Sequence, residues 1–193
     1  MRKQILACGL AMTMLLGGCS KSSDSSSSAA MIAYQGYYNA IEDNEKFVGS
    51  SLYYTISCEM SELPDGTHRY YIFLDEAQVA MYDVVMIAVE NDVPYDQAAK
   101  MMPSVGILDS TEYTLIPYQS YTDGGYVKGL VLSGECTDAS ISLKVLVEWK
   151  DKNLEKTTRE FLSFDLTMDG ATHPESTASP QASASPSAEA SNG

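Results

Sequence analysis

Between Ser140 and Lys150 every second residue is apolar. Ile141, Leu143, Val145, Val147 and Trp149 fall on one parity, and Lys144, Glu148 and Lys150 on the other. Side chains of a strand alternate between its faces, so this stretch predicts a β-strand with one face in a core. The same period governs 52–60, where Leu52, Tyr54, Ile56, Cys58 and Met60 alternate with Tyr53, Thr55, Ser57 and Glu59. Pro64-Asp65-Gly66-Thr67 follows. Proline presets φ for the first turn position and glycine accepts positive φ, so a hairpin returns through 69–74. Residues 79–89 are apolar on both parities, as in a central strand covered on both faces, with a helix as the rival.

Further strands are expected over 112–116, 126–132 and 157–166, with Asp123-Gly124-Gly125 and Asp151-Lys152-Asn153 as turns between them. Two helices interrupt the pattern. Over 29–45, Met31, Tyr34, Tyr38 and Ile41 form one apolar stripe, weakened by Gly36. A short helix over 94–102 is stopped by Pro103. Short strands with regular turns predict a mainly β protein, an antiparallel β-sandwich with an N-terminal helix and disordered tails. Its general look is similar to immunoglobulin-like domains of surface lipoproteins. Trp149 follows both domain cysteines, so the antibody order Cys…Trp…Cys is absent and the likeness is one of architecture.

The ends are different in kind. Arg2 and Lys3 precede an apolar run from Ile5 to Leu16, as in a secretory signal and too short to span a bilayer. The run ends in Leu16-Gly17-Gly18-Cys19, which resembles the lipobox of bacterial lipoproteins. That resemblance implies cleavage between Gly18 and Cys19, with a diacylglyceryl group on the Cys19 thiol. Two acyl chains, at about 0.8 kcal/mol per buried methylene, hold a protein on a membrane where one would not. Position 20 is Ser rather than Asp. The resemblance then implies the outer membrane in a two-membrane envelope, and the outer face of the plasma membrane in a one-membrane envelope.

The domains expected are a signal peptide over 1–18, an anchor and Ser-rich tether over 19–30, one β-rich domain over 31–170, and a Ser/Ala/Pro tail over 171–193. A flexible tether of ten residues spans roughly 17 Å.

Charge and chemistry narrow the function. The chain carries −14, and losing Arg2 and Lys3 with the signal takes it to −16. Such a surface repels phosphate backbones and anionic headgroups, which argues against nucleic acid and favours neutral or cationic partners, or serves solubility alone. The sequence shows no zinc, nucleotide or nucleophile-elbow motif, so no metal or cofactor is expected. His68 beside the hairpin turn reads as exposed and His173 as part of the tail.

With Cys8 removed and Cys19 acylated, Cys58 and Cys136 remain. They form either a disulfide, as an oxidising compartment favours, or leave a buried free thiol at Cys58. Tyrosine is frequent, 13 against 4 Phe and 1 Trp. In the doublets Tyr53-Tyr54 and Tyr70-Tyr71 one ring must face outward, which makes Tyr53 and Tyr71 candidate binding residues beside their ordinary role as strand formers. The expectation is a non-catalytic binding or accessory lipoprotein, tied to the membrane through Cys19 and meeting an unidentified envelope protein or ligand. The alternative is an envelope hydrolase using paired carboxylates.

The anchor has a direct test. Cys19→Ala removes the acyl acceptor and should abolish metabolic lipid labelling; a normally labelled variant would refute the anchor.

Overall fold

The computed structural model describes residues 22–109, 111–119 and 126–173. The hairpin forms as its turn chemistry requires. Strands β1 (Thr55–Glu62) and β2 (His68–Asp75) pair antiparallel, with Gly66 at φ 81°. Asp65 accepts hydrogen bonds from the Thr67 amide at 3.1 Å and hydroxyl at 2.7 Å, which hold its carboxyl below the usual range. The later strand β5 (Leu130–Cys136) joins the other edge of β2 to complete a small sheet.

The second sheet is built from β3 (Tyr82–Glu90), β4 (Ser104–Val105), β6 (Ser140–Lys150), β7 (Thr157–Thr167) and β8 (Gly170–Thr172), in the order β4-β3-β6-β7-β8 and antiparallel throughout. Packed against β1-β2-β5, it makes an antiparallel sandwich. The order of the first seven strands is that of an immunoglobulin constant domain whose fourth strand has moved from the first sheet to the second, and β8 is added beyond the seventh.

The inter-sheet core holds Tyr70, Ile72 and Leu74 of β2 against Leu143, Val145, Val147 and Trp149 of β6. The alternation read in β6 therefore points as expected. In β3 the alternation changes phase. Between Tyr82↔Lys150 and Val85↔Glu148 one extra residue lies on β3, and Asp83 there has φ 48°. This bulge puts Met81, Val84, Met86 and Ala88 all in the inter-sheet core, while Val85, Ile87 and Val89 face the other way.

That other face is covered by α1 (Ser22–Glu42). Tyr34, Tyr38 and Ile41 are buried against Val85, Ile87, Val89 and Leu146. Met31, the first residue of the expected stripe, stays 39% exposed. The Tyr38 hydroxyl donates to the Val93 carbonyl at 2.6 Å, and Tyr37 donates to Glu148 at 2.7 Å.

Several boundaries differ from the sequence reading. The helix starts at Ser22, inside the segment read as a flexible tether: once its C-terminal turns are docked, extension adds one hydrogen bond per residue without a new nucleus. The first strand begins at Thr55 rather than 52, and the helix expected over 94–102 is one 3₁₀ turn, Tyr95–Gln97. Residues 112–116 contribute only isolated bridges, Met81↔Leu115 and Thr114↔Tyr126.

At the far end β8 pairs Gly170–Thr172 with β7, and the His173 ring lies over Gly49 with Nδ1 3.0 Å from the Ser163 carbonyl oxygen. The fold thus takes in residues read as tail. Among the described residues no helix is long and apolar enough to cross a membrane.

Helix docking sets an expectation for denaturant unfolding. Tyr38→Ala should cost about 3–5 kcal/mol, as an aromatic cavity does. Tyr38→Phe, which keeps the ring and loses the bond to Val93, should cost about 1 kcal/mol.

Candidate functional site

Because the bulge resets the phase of β3, its last residue, Glu90, follows Val84, Met86 and Ala88 onto the inter-sheet face. A carboxylate is thereby carried to the end of an apolar core. Glu90 is only 6% exposed, the one acidic residue below a tenth among those described. The fold compensates it from two directions. From the opposite sheet the Tyr70 hydroxyl donates to Glu90 Oε1 at 2.7 Å. From the segment after the 3₁₀ turn, Lys100 Nζ lies 2.8 Å from the same oxygen.

Burial, then the bond to Glu90, pushes the Tyr70 hydroxyl pKa well up, so it stays a donor at all ordinary pH. Its ring has room only because position 134 on the neighbouring strand is glycine: a Cβ there would collide with the Tyr70 hydroxyl. An unpaired charge in such a place costs several kcal/mol, and Tyr70 and Lys100 together offset that cost for Glu90 at this end of the sandwich.

An open cleft of about 570 Å³ lies beside the triad, with Glu90 in its wall. Ser133, Gly134 and Glu135 of β5 form one side, and Lys100 and Met101 the other. Arg69, opposite Glu135 on the neighbouring strand β2, pairs with its carboxylate, and Lys100 also donates to the Glu135 carbonyl. A second hollow of about 470 Å³ adjoins Leu115 and Tyr118, but its charged lining residues, Glu76 and Lys128, are exposed. Buried polar chemistry is concentrated at Glu90.

One sequence expectation needs correction, and one open choice takes its second form. His68 is not an exposed turn residue. It opens β2 on the inward parity, opposite Cys136, is 9% exposed, and its Nδ1 has no hydrogen-bond partner among the described residues. Cys58 and Cys136 are free. They sit on β1 and β5 with β2 between them, so their backbones are about two strand spacings apart, roughly 9.6 Å, before any offset along the strands. A disulfide tolerates at most about 7 Å.

Tyr53 and Tyr71 do point outward, but to separate places. Tyr53, 39% exposed, precedes β1 and rests its ring on Trp149 at 5.4 Å. Tyr71 lies mid-strand on the outer face of the small sheet, stacked on Phe73 at 6.0 Å and 23°. Gly18 and Cys19 lie outside the described residues. No group of three or more metal-ligating side chains occurs among those described.

Glu90 was visible in the sequence as one acid among many, with nothing to single it out until the bulge assigned its face. Tyr70 was legible as the inward member of its doublet. Lys100 gave no signal, since only the tertiary path of 98–103 brings it to Glu90. Tyr54 and Glu160 show a looser version of the same motif. Burial and then Glu160 raise the Tyr54 hydroxyl pKa, yet neither Tyr54 Oη nor Glu160 Oε2 has a hydrogen bond of normal geometry. We read them as close but misaligned. No protein-family model matches the chain, and no curated protein or solved structure resembles it significantly.

The thiols offer a check on this geometry. Burial pushes Cys58 from 9.0 up to about 12, and it raises Cys136 as well, with Glu90 adding to the effect. At neutral pH a maleimide should label Cys136 first and reach Cys58 only after denaturation. A raised thiol pKa stabilises the fold fully below the unfolded value. Stability should therefore fall as pH rises from about 9 to about 12, with a shallower slope in Cys58→Ala.

Proposed function

We propose that this chain is an extracytoplasmic lipoprotein, acylated at Cys19, whose sandwich binds another envelope component without catalysing a reaction. The observation that carries the binding half is the outer face of the small sheet. There Tyr71 and Phe73 of β2 stack, and Val131 of β5, paired with Phe73, is 53% exposed. Ser57 and Glu59 of β1 and Ser133 of β5 flank them. An apolar strip with a polar rim is the anatomy of a contact patch, and stacked rings lose little freedom on binding. The larger sheet's outer face is occupied by α1; this one is uncovered among the described residues.

The anchoring half is supported by the lipobox resemblance of Leu16-Gly17-Gly18-Cys19. Residues 22–33 precede the docked turns and at about 1.5 Å per residue would hold the sandwich roughly 18 Å off the bilayer. The rival hydrolase needs two convergent acids; Glu90, the deeply buried one, is already bound to Tyr70 and Lys100.

Partner capture by crosslinking in native membranes tests the proposal. Tyr71→Ala and Phe73→Ala should each weaken capture by about 2 kcal/mol, or roughly 30-fold, with folding unchanged. Tyr53→Ala should act on stability through Trp149 and leave capture intact. Undiminished capture in both strip variants, or a turnover lost on changing two particular carboxylates, would overturn it.

A further inference from the structure

We infer that the cleft beside Glu90 is a binding site for a primary ammonium group, the side chain of a lysine in an extended partner segment that lies along the free edge of β5. This deepens the binding reading and rests on it.

The carboxylate is the starting point. Both bonds to Glu90 go to one oxygen: Tyr70 donates to Oε1 at 2.7 Å, and Lys100 stands 2.8 Å from that same atom. Oε2 has no partner among the described residues, and it is not among the atoms sealed from solvent. A carboxylate offers about four acceptor positions, so half the capacity of a residue 94% buried is turned toward an open cleft. Solvent in the cleft serves that oxygen in the free protein, and a cation brought to it gains a charge-assisted hydrogen bond.

Lys100 shows which cation fits. Its ammonium already reaches Glu90, yet its side chain is 45% exposed against 8% for Glu90. The acid is fixed by the sheet and the lysine comes from outside it. A partner's ammonium can take the place beside Glu90 while Lys100 turns to solvent, and the charge balance of the cleft is kept. The net −14 of the chain draws such a group in.

The backbone supplies the rest. Among the described residues β5 pairs with β2 on one side only, and its other edge, at Ser133–Glu135, lines the cleft. The Glu135 carbonyl on that edge already accepts a hydrogen bond from Lys100, so it is open to a donor from the cleft. Gly134 on that edge admits the Tyr70 ring, whose hydroxyl holds Glu90 beside it. An extended segment adding to this edge would take main-chain bonds from β5 and send one side chain in toward Glu90.

Titration of the full chain in detergent micelles with an acetylated peptide Thr-Val-Lys-Val-Thr tests this, followed by amide chemical shifts or calorimetry. Replacing the peptide's lysine by norleucine, or Glu90 by Gln, should weaken binding about 30-fold, as losing one member of a buried charge pair does. Lys100→Ala removes the internal competitor and should tighten binding several-fold; the norleucine comparison, made on the unaltered chain, decides the matter should either variant not fold. The inference is overturned if lysine and norleucine peptides bind alike, or if Lys100→Ala weakens binding. It is also overturned if butylamine binds as tightly as the peptide, since β5 would then contribute nothing. Failure here with Tyr71-dependent capture intact would remove the lysine site and leave the binding role standing.

Discussion

Everything in this molecule depends on the two-sided burial of β3 and β6. Met86, Ala88, Leu143, Val145 and Val147 face the small sheet, while Val85, Ile87, Val89 and Leu146 face the helix. A sheet that is apolar on both faces requires a layer on each. The hairpin and β5 supply one, and α1 the other. This explains why a segment carrying Gly36 and a serine run is helical at all. Local propensity is modest, and the area covered by Tyr34, Tyr38 and Ile41 decides the outcome. The polar residues of β6 on that face are drawn into the same docking. Glu148 is shared between Tyr37 and Arg159, and Lys144 reaches Asp92 at 2.8 Å while lying over the Phe47 ring.

The bulge at Asp83 converts this architecture into a site. Asp83 adopts a left-handed conformation, which aspartate tolerates better than most residues, and its carboxylate is held by Lys150 at 2.9 Å. Without the extra residue, Met81 and Val84 could not both face the inter-sheet core, and Glu90 would change sides with the rest of the strand. One inserted residue therefore fills the core at one end of β3 and places a carboxylate at the other. The glycine at 134 completes the arrangement by admitting the Tyr70 ring beneath it.

How much of this was legible in the sequence follows from what period carries. Where one face is apolar and the other polar, as in β6, parity names the inward residues outright. The hairpin turn was equally plain, because Asp65 and Gly66 act within four residues. Period failed where partners are remote. The doubly apolar stretch 79–89 could not reveal its own change of phase, so Glu90 stayed one acid among many. His68 was misjudged because its neighbours in sequence are turn residues while its neighbours in space are Cys136 and the sandwich interior. The strands β4 and β8, two and three residues long, have no period to read.

The same dependence on α1 reaches the cleft. Tyr34 accepts the Met102 amide at 2.7 Å and donates to the Met102 carbonyl at 3.3 Å, two residues from Lys100. On the other side Tyr95 packs edge-on against Tyr38 at 5.3 Å. The stretch that carries Lys100 is thus pinned at both ends by rings of the helix, and Met31 and Lys100 line one shallow hollow between them. Lys100 can leave Glu90 only by moving its own side chain, since its backbone is held by the layer that covers the large sheet. A ligand at Glu90 would therefore compete with one flexible lysine rather than with a folded loop. That makes exchange at the site a small local event, separable from the packing that holds the sandwich together.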